Sequence, residues 1–308
     1  MKRFLAALAS ALLLTGAGFA AAWAVMRRLP LEAVSRIDAG LAGAACGLAF
    51  FTVLAALNLL PFARRRAADW GVGQALWIVL EIMLLQFATL IFGLAACIGA
   101  SLLAWRWHGT APHMPAPGSV ATIVLAGYLV AILWGVNFVS RSGRLRNRTA
   151  TGIAWASAPL AAYGLAAGIA IAVCLVAYGL FRFLPPNAAA LANDPTAKLF
   201  GQPGWQATAF LLIAIAVAPV GEEIVFRGGV FSAFAGRCGP LWAGMLTTAL
   251  FMLVHAPEKI LYPPSFLDIG LMAAAAAWLR LRYGSIRPGI LLHALYNVGV
   301  MVAAGAAG

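Results

Sequence analysis

The stretch Gly221-Glu222-Glu223-Ile224-Val225-Phe226-Arg227-Gly228 sets three ionisable side chains inside an otherwise apolar run from Trp205 to Phe234. Taking each of them into hydrocarbon costs at least about 2–3 kcal/mol, so such residues face a protein interior or a wet cavity and by default mark function. Glu223 and Arg227 are four positions apart, share one helix face, and stand in the better order for a pair, with the acid N-terminal to the base. Glu222 points about 100° away from Glu223 and is left in a low-dielectric place beside a second carboxylate. Glu222 is therefore the candidate proton carrier and Glu223 the structural anion. Pro219 and Gly221, just upstream, are placed to kink this helix and open its backbone.

Working outward, the 308 residues are 63% hydrophobic and only 10% charged, which excludes an ordinary soluble domain. Long apolar runs alternate with short basic loops, the pattern of an all-α, polytopic transmembrane helical bundle. The net charge of +12 sits in those loops rather than along one face, so it reads as membrane orientation and not as nucleic-acid binding. Cys46, Cys97, Cys174 and Cys238 lie in or beside apolar runs without paired metal spacing and read as free thiols.

The expected spans are Phe4 to Val25, Ala39 to Ala63, Leu76 to Trp105, Val120 to Val139, Ala158 to Phe181, Trp205 to Phe234, Leu241 to His255, Phe266 to Leu281 and Ile286 to Ala304. That gives about eight to nine spans by the length rule. The first reads as an uncleaved helix rather than a signal peptide. Lys2, Arg3, Arg64 to Arg66, Arg141, Arg144, Arg146, Arg148, Arg237, Arg280, Arg282 and Arg287 then fall on one side, which puts the N-terminus in the cytoplasm. The Ala-rich, Arg-over-Lys composition suggests a bacterial inner membrane. A proline-rich stretch, Leu184 to Gly204, separates N-terminal helices of unassigned role (1–200) from a functional core (201–308).

In that core Phe251 and His255 are four apart, as are His293 and Asn297, so each pair shares a helix face. With Glu222 they supply a carboxylate base, imidazoles that shuttle or donate a proton, and an amide suited to an oxyanion. Glu81, alone in the third span with Gln86 nearby, reads as structural. None of the four histidines precedes a glutamate, so no HExxH zinc helix exists. Asp268 is the one aspartate in a span, which rules out an aspartyl dyad, and no Gly-x-Ser-x-Gly elbow occurs. Glutamate with histidine remains. Depth counting leaves a puzzle: Glu222 lies about 24 Å along its helix from Trp205, and His255 about 22 Å along the return helix from Leu241.

Glu222-Glu223-x-x-x-Arg227, Phe251-x-x-x-His255 and His293-x-x-x-Asn297, in this order on successive helices, resemble the three motifs of the CPBP family of CAAX prenyl proteases and bacteriocin-processing enzymes. Leu241-Trp242-Ala243 and Leu281-Arg282-Tyr283-Gly284-Ser285-Ile286-Arg287-Pro288 fit the flanking text, and the likeness covers about Trp205 to Val302. The resemblance implies an intramembrane endopeptidase. In it Glu222 and His255 activate a water, His293 and Asn297 bind the oxyanion, and Glu223, Arg227 and Phe251 support the site. Glu222, His255 and His293 also match a catalytic zinc by ligand type and number. An oxyanion role for His293 and Asn297 needs no metal, and the reading favours a water activated without zinc.

The implied partners are a membrane-associated peptide or protein substrate and the bilayer, with no nucleic acid. The rival class is a non-proteolytic transporter or scaffold that uses the buried Glu/His cluster as a proton relay. Transporters carry internal repeats with broken helices in both halves. Here the polar residues crowd into the last third of the chain, which favours the enzyme.

Overall fold

Regular structure in the described residues is helical throughout. The computed structural model describes residues 70–109, 115–141, 153–187 and 205–306, together with a few helical residues between 13 and 20. The expected span Ala39 to Ala63, most of Phe4 to Val25, the Arg64 to Arg66 triplet, Cys46, and most of the proline-rich stretch before Trp205 lie outside the described residues.

The apolar runs become α1 (Val72–His108), α2 (Pro117–Arg141), α3 (Leu160–Phe183) and α4 (Trp205–Cys238), each long and apolar enough to cross a bilayer. They make the chain an integral membrane protein. After them come the shorter apolar α5 (Pro240–Val254), a single turn at Ala256–Lys259, α6 (Ser265–Tyr283) and α7 (Arg287–Ala306). Four candidate spans are therefore seen among the described residues. α6 falls short of a simple span because Asp268, Arg280 and Arg282 interrupt it. Cys97, Cys174 and Cys238 are free thiols, as their spacing suggests.

Two compact units divide the chain. Among the described residues, one holds 80–131, and so most of α1 and the first part of α2. In it Thr89 approaches Gly127, and Glu81 is buried. The other joins residues 67–79 and 132–308 and holds all the candidate site residues. There α3 and α6 pack against α7, α5 packs on α6, and the C-terminal part of α4 packs on α5.

α4 is not a uniform α-helix. Ile213–Val217 and Ile224–Val230 are π-helical, and the short α-helical segment Ala218–Glu223 between them carries both glutamates. Pro219 explains the first wide turn. Its ring crowds the carbonyl four residues back and it has no N–H to donate, so the preceding helix widens by one residue. The Ala218 N–H accordingly bonds the carbonyl of Ile213, five residues back. Gly221 does not act as a hinge. It is a close-approach position, since a Cβ there would collide with the side chain of Ile132 on α2.

Candidate active site

The turn between α4 and α5 is one residue, Gly239, held at φ 85° where a side chain would be strained. This short connection resolves the depth puzzle. Measured from that shared turn, Glu222 lies 16 positions back from Cys238 and His255 15 positions on from Pro240, so both sit about 22–24 Å from it. The count from Trp205 fails because α4 continues past Phe234 to Cys238 and is widened on both sides of the glutamates.

His255 caps α5 with φ −90° and ψ −1°, and its Nδ1 lies 2.8 Å from the carbonyl of Phe251. A carbonyl only accepts, so this contact places the proton on Nδ1 and directs the Nε2 lone pair outward. Nε2 faces Oε2 of Glu222 at 3.9 Å. From α7, Nε2 of His293 faces the same Oε2 at 3.8 Å. Separations in this range are too long for direct hydrogen bonds and suit a single water that bonds two of the groups at once. Glu222 and His293 are buried, whereas the His255 ring is 19% exposed and forms the open side of the cluster.

Glu223 has a different task. It is fully buried, and its Oε1 accepts from Arg227 at 2.9 Å and lies 3.3 Å from Nδ1 of His293. Arg227 is also fully buried, and its second terminal nitrogen donates to the carbonyl of Ala273 on α6 at 2.7 Å. Phe251 fills the space between these groups. The Arg227 guanidinium stands 4.6 Å from its ring centroid, with the His255 and His293 rings at 4.5 and 5.7 Å. A planar, permanently charged side chain thus holds an anion that orients an imidazole.

Asn297 lies one turn beyond His293, but its described hydrogen bond leads elsewhere: Nδ2 donates to the carbonyl of Ala214 at 2.7 Å. The backbone explains why. The Ala218 N–H has moved to Ile213, and the residue five positions after Ala214 is Pro219, which has no N–H. Ala214 therefore lacks a donor from its own helix, and Asn297 supplies one. An amide nitrogen carries two hydrogens, and this bond commits one of them.

By donor type Glu222, His255 and His293 suit zinc, but the spacing does not. Adjacent donors of a tetrahedral zinc at about 2.0–2.1 Å stand roughly 3.3–3.5 Å apart, closer than the 3.8 and 3.9 Å found here. Among the described residues no group of three His, Cys, Asp or Glu side chains is arranged to hold a metal ion.

Three further participants escape the motif reading. Gly289 on α7 sits where a Cβ would come within 3.1 Å of Glu223 Oε2. Arg280 on α6 donates from Nε to the carbonyl of Arg227 at 3.3 Å, a group whose regular donor, the Phe231 N–H, reaches back to Phe226 instead. Tyr296, adjacent to Asn297, donates its hydroxyl to Asp268 at 2.7 Å. The signal for the last two was a charged residue inside an apolar helix, without any spacing to name its partner.

Residues 204–299 match the family model described as type II CAAX prenyl endopeptidase, Rce1-like. Over 181 residues the chain is 29% identical to an uncharacterised 24.3 kDa protein of Escherichia coli, an alignment that covers 57% of this chain and 73% of that relative. No solved structure matches. The matched segment begins just ahead of α4, ends within α7, and contains each of the three motifs and the Glu/His cluster. Residues 204–299 are a domain of the Rce1-like type II CAAX prenyl endopeptidase family.

Proposed function

We propose that the protein is an intramembrane endopeptidase that hydrolyses a peptide bond of a membrane-associated peptide or protein, with 201–308 as the protease core of an eight- to nine-span chain in a bacterial inner membrane, N-terminus in the cytoplasm. The observation that carries the reading is one carboxylate oxygen, Oε2 of Glu222, faced by Nε2 of both His255 and His293. A water held against Glu222 and the His255 lone pair gives up a proton as its oxygen attacks the scissile carbonyl. The proton passes to the amine as the C–N bond breaks, leaving a carboxylic acid and a free amine. His293, with Nδ1 engaged by Glu223, donates to the oxyanion from Nε2 only when it carries both protons. The second N–H of Asn297 completes the oxyanion site.

The test reconstitutes the full chain in liposomes with a panel of membrane-anchored peptides, prenylated and unprenylated. Glu222→Gln is expected to lower cleavage by at least about 100-fold, the scale of a lost general base, with the unfolding midpoint within a few degrees of wild type. Cleavage by Glu222→Gln at wild-type rate would sink the proposal.

A further inference from the structure

We propose that residues 153–156, which lead into α3, are a strap that sets the distance between α4 and α7, and that Ser285 and Gly228 are the positioning residues on which it rests. For its catalytic consequence the inference rests on the endopeptidase reading and deepens it. Neither residue carries a reacting group, and each acts through a helix that does.

On the α7 side the strap supplies what the helix start lacks, since the first N–H groups of a helix have no partner within it. The Ile286 N–H donates to the carbonyl of Ala154 at 3.0 Å, and the Arg287 N–H donates to Oγ of Ser285 at 3.2 Å. Pro288 comes next and has no N–H to satisfy. Oγ of Ser285 in turn donates to the carbonyl of Ala156 at 2.6 Å, and the Arg287 guanidinium stands 5.5 Å from the Trp155 ring centroid. Ser285 and Ala154 are fully buried. Among the described residues, the bond from Ile286 to Ala154 is the one backbone–backbone bond that joins segments distant in sequence.

On the α4 side the strap lies against Gly228, the residue after Arg227 in the second π-helical segment. A Cβ at Gly228 would stand 3.2 Å from Cγ2 of Ile153 and 3.5 Å from the Cα and carbonyl oxygen of the same residue. Glycine therefore lets the strap backbone approach the helix closely. Between the two attachments Ala154 sits at φ 56°, a left-handed conformation that residues with a Cβ seldom adopt. Such strain persists only where the surroundings over-determine it. Here the contact of Ile153 with Gly228 and the bond from Ile286 hold the residue from both sides.

One short segment thus joins the helix of Glu222, Glu223 and Arg227 to the helix of His293. Along α7, Gly289 packs on Glu223, and His293 follows one turn later with Nδ1 3.3 Å from Glu223 Oε1 and Nε2 3.8 Å from Glu222 Oε2. A displacement on the order of 1 Å at the reacting groups lowers a rate by as much as about 100-fold. Fixing the first turn of α7 relative to α4 is therefore a catalytic requirement.

The experiment follows the ring nitrogens of the four histidines by NMR in the purified full chain without a histidine tag, alongside cleavage kinetics in liposomes. Ser285→Ala removes Oγ from both of its bonds. It is expected to shift the His293 signals while those of His108 and His113 stay in place, and to lower kcat about tenfold with KM within about twofold of wild type. Gly228→Ala drives a methyl group against Ile153 and is expected to do the same. The double variant Gly228→Ala, Ile153→Ala removes the opposing Cγ2 and is expected to return the His293 signals and kcat toward wild type. Cooperative thermal unfolding of each variant establishes that it is folded. His293 signals unmoved in both single variants would overturn the proposal. So would a Gly228→Ala defect that Ile153→Ala leaves unrelieved, the mark of a local effect on the π-helical turn. If wild type cleaves none of the peptides, the endopeptidase reading fails, and the histidine signals alone still decide whether the strap positions His293.

Discussion

Nδ1 of His293 lies 3.3 Å from Oε1 of Glu223, the same oxygen that accepts from Arg227. The carboxylate therefore both neutralises a buried cation and sets which way an imidazole faces. Glu223→Gln keeps the shape and removes the charge, leaving Arg227 buried without its counter-ion. The expected loss of stability is about 3–5 kcal/mol, the range for breaking one side of a buried pair. Cleavage should fall with it, because His293 loses the partner that orients Nε2. Thermal unfolding in detergent measures the first effect. A variant as stable as wild type would show that the pair contributes no net stability.

The packing around that carboxylate makes a sharper test. Gly289 leaves space for Glu223 Oε2, and an added Cβ would stand 3.1 Å from it and 3.5 Å from the Ala276 Cβ. Glu223 is tied to Arg227 and cannot swing aside. Gly289→Ala is expected to cost about 1–3 kcal/mol through overpacking, although alanine is the better helix former by roughly 1 kcal/mol. A gain in stability would mean that α7 shifts freely, contrary to the geometry.

Asn297 holds α7 to the widened turn of α4 through Ala214, and Pro219 is the reason that carbonyl needs a donor. Asn297→Ala should cost about 1–3 kcal/mol by leaving the carbonyl unpaired. Pro219→Ala restores an N–H five residues after Ala214. The double variant Asn297→Ala, Pro219→Ala is therefore expected to recover part of the lost stability. It should not recover cleavage if the amide also serves the oxyanion. Recovery of both would reduce Asn297 to a tether.

The candidate site residues were legible because intramembrane charge is costly and helical spacing is regular. Glu223 with Arg227 and Phe251 with His255 could be paired from spacings of four, Glu222 and His293 could be marked as polar side chains in apolar helices, and the structure brings all six together. The partner of Asn297 was not legible. It depends on which carbonyl a π-helical turn strands, and that is a property of backbone register which side-chain spacing does not carry. The depth of Glu222 relative to His255 was misjudged for a related reason, because the end of α4 at Cys238 is set by the Gly239 turn and not by where the apolar run stops. Asp268 could be marked as unusual, but its contact with Tyr296 joins two helices, and no periodicity within one helix reports on a second.

That contact offers the last prediction. Asp268 Oδ2 accepts the Tyr296 hydroxyl at 2.7 Å, both side chains are buried, and the bond ties α6 to α7 one turn from His293. Removing the donor and removing the acceptor's charge should not be equivalent. Tyr296→Phe strands a buried acid and is expected to cost about 1–3 kcal/mol, whereas Asp268→Asn keeps an acceptor oxygen and should cost less. If the pair acts as a unit, the double variant should fall short of the sum of the singles by roughly 0.5 kcal/mol or more. Additive losses in thermal unfolding would mean that the two residues stabilise the bundle independently, and that the bond between them fixes nothing about α7.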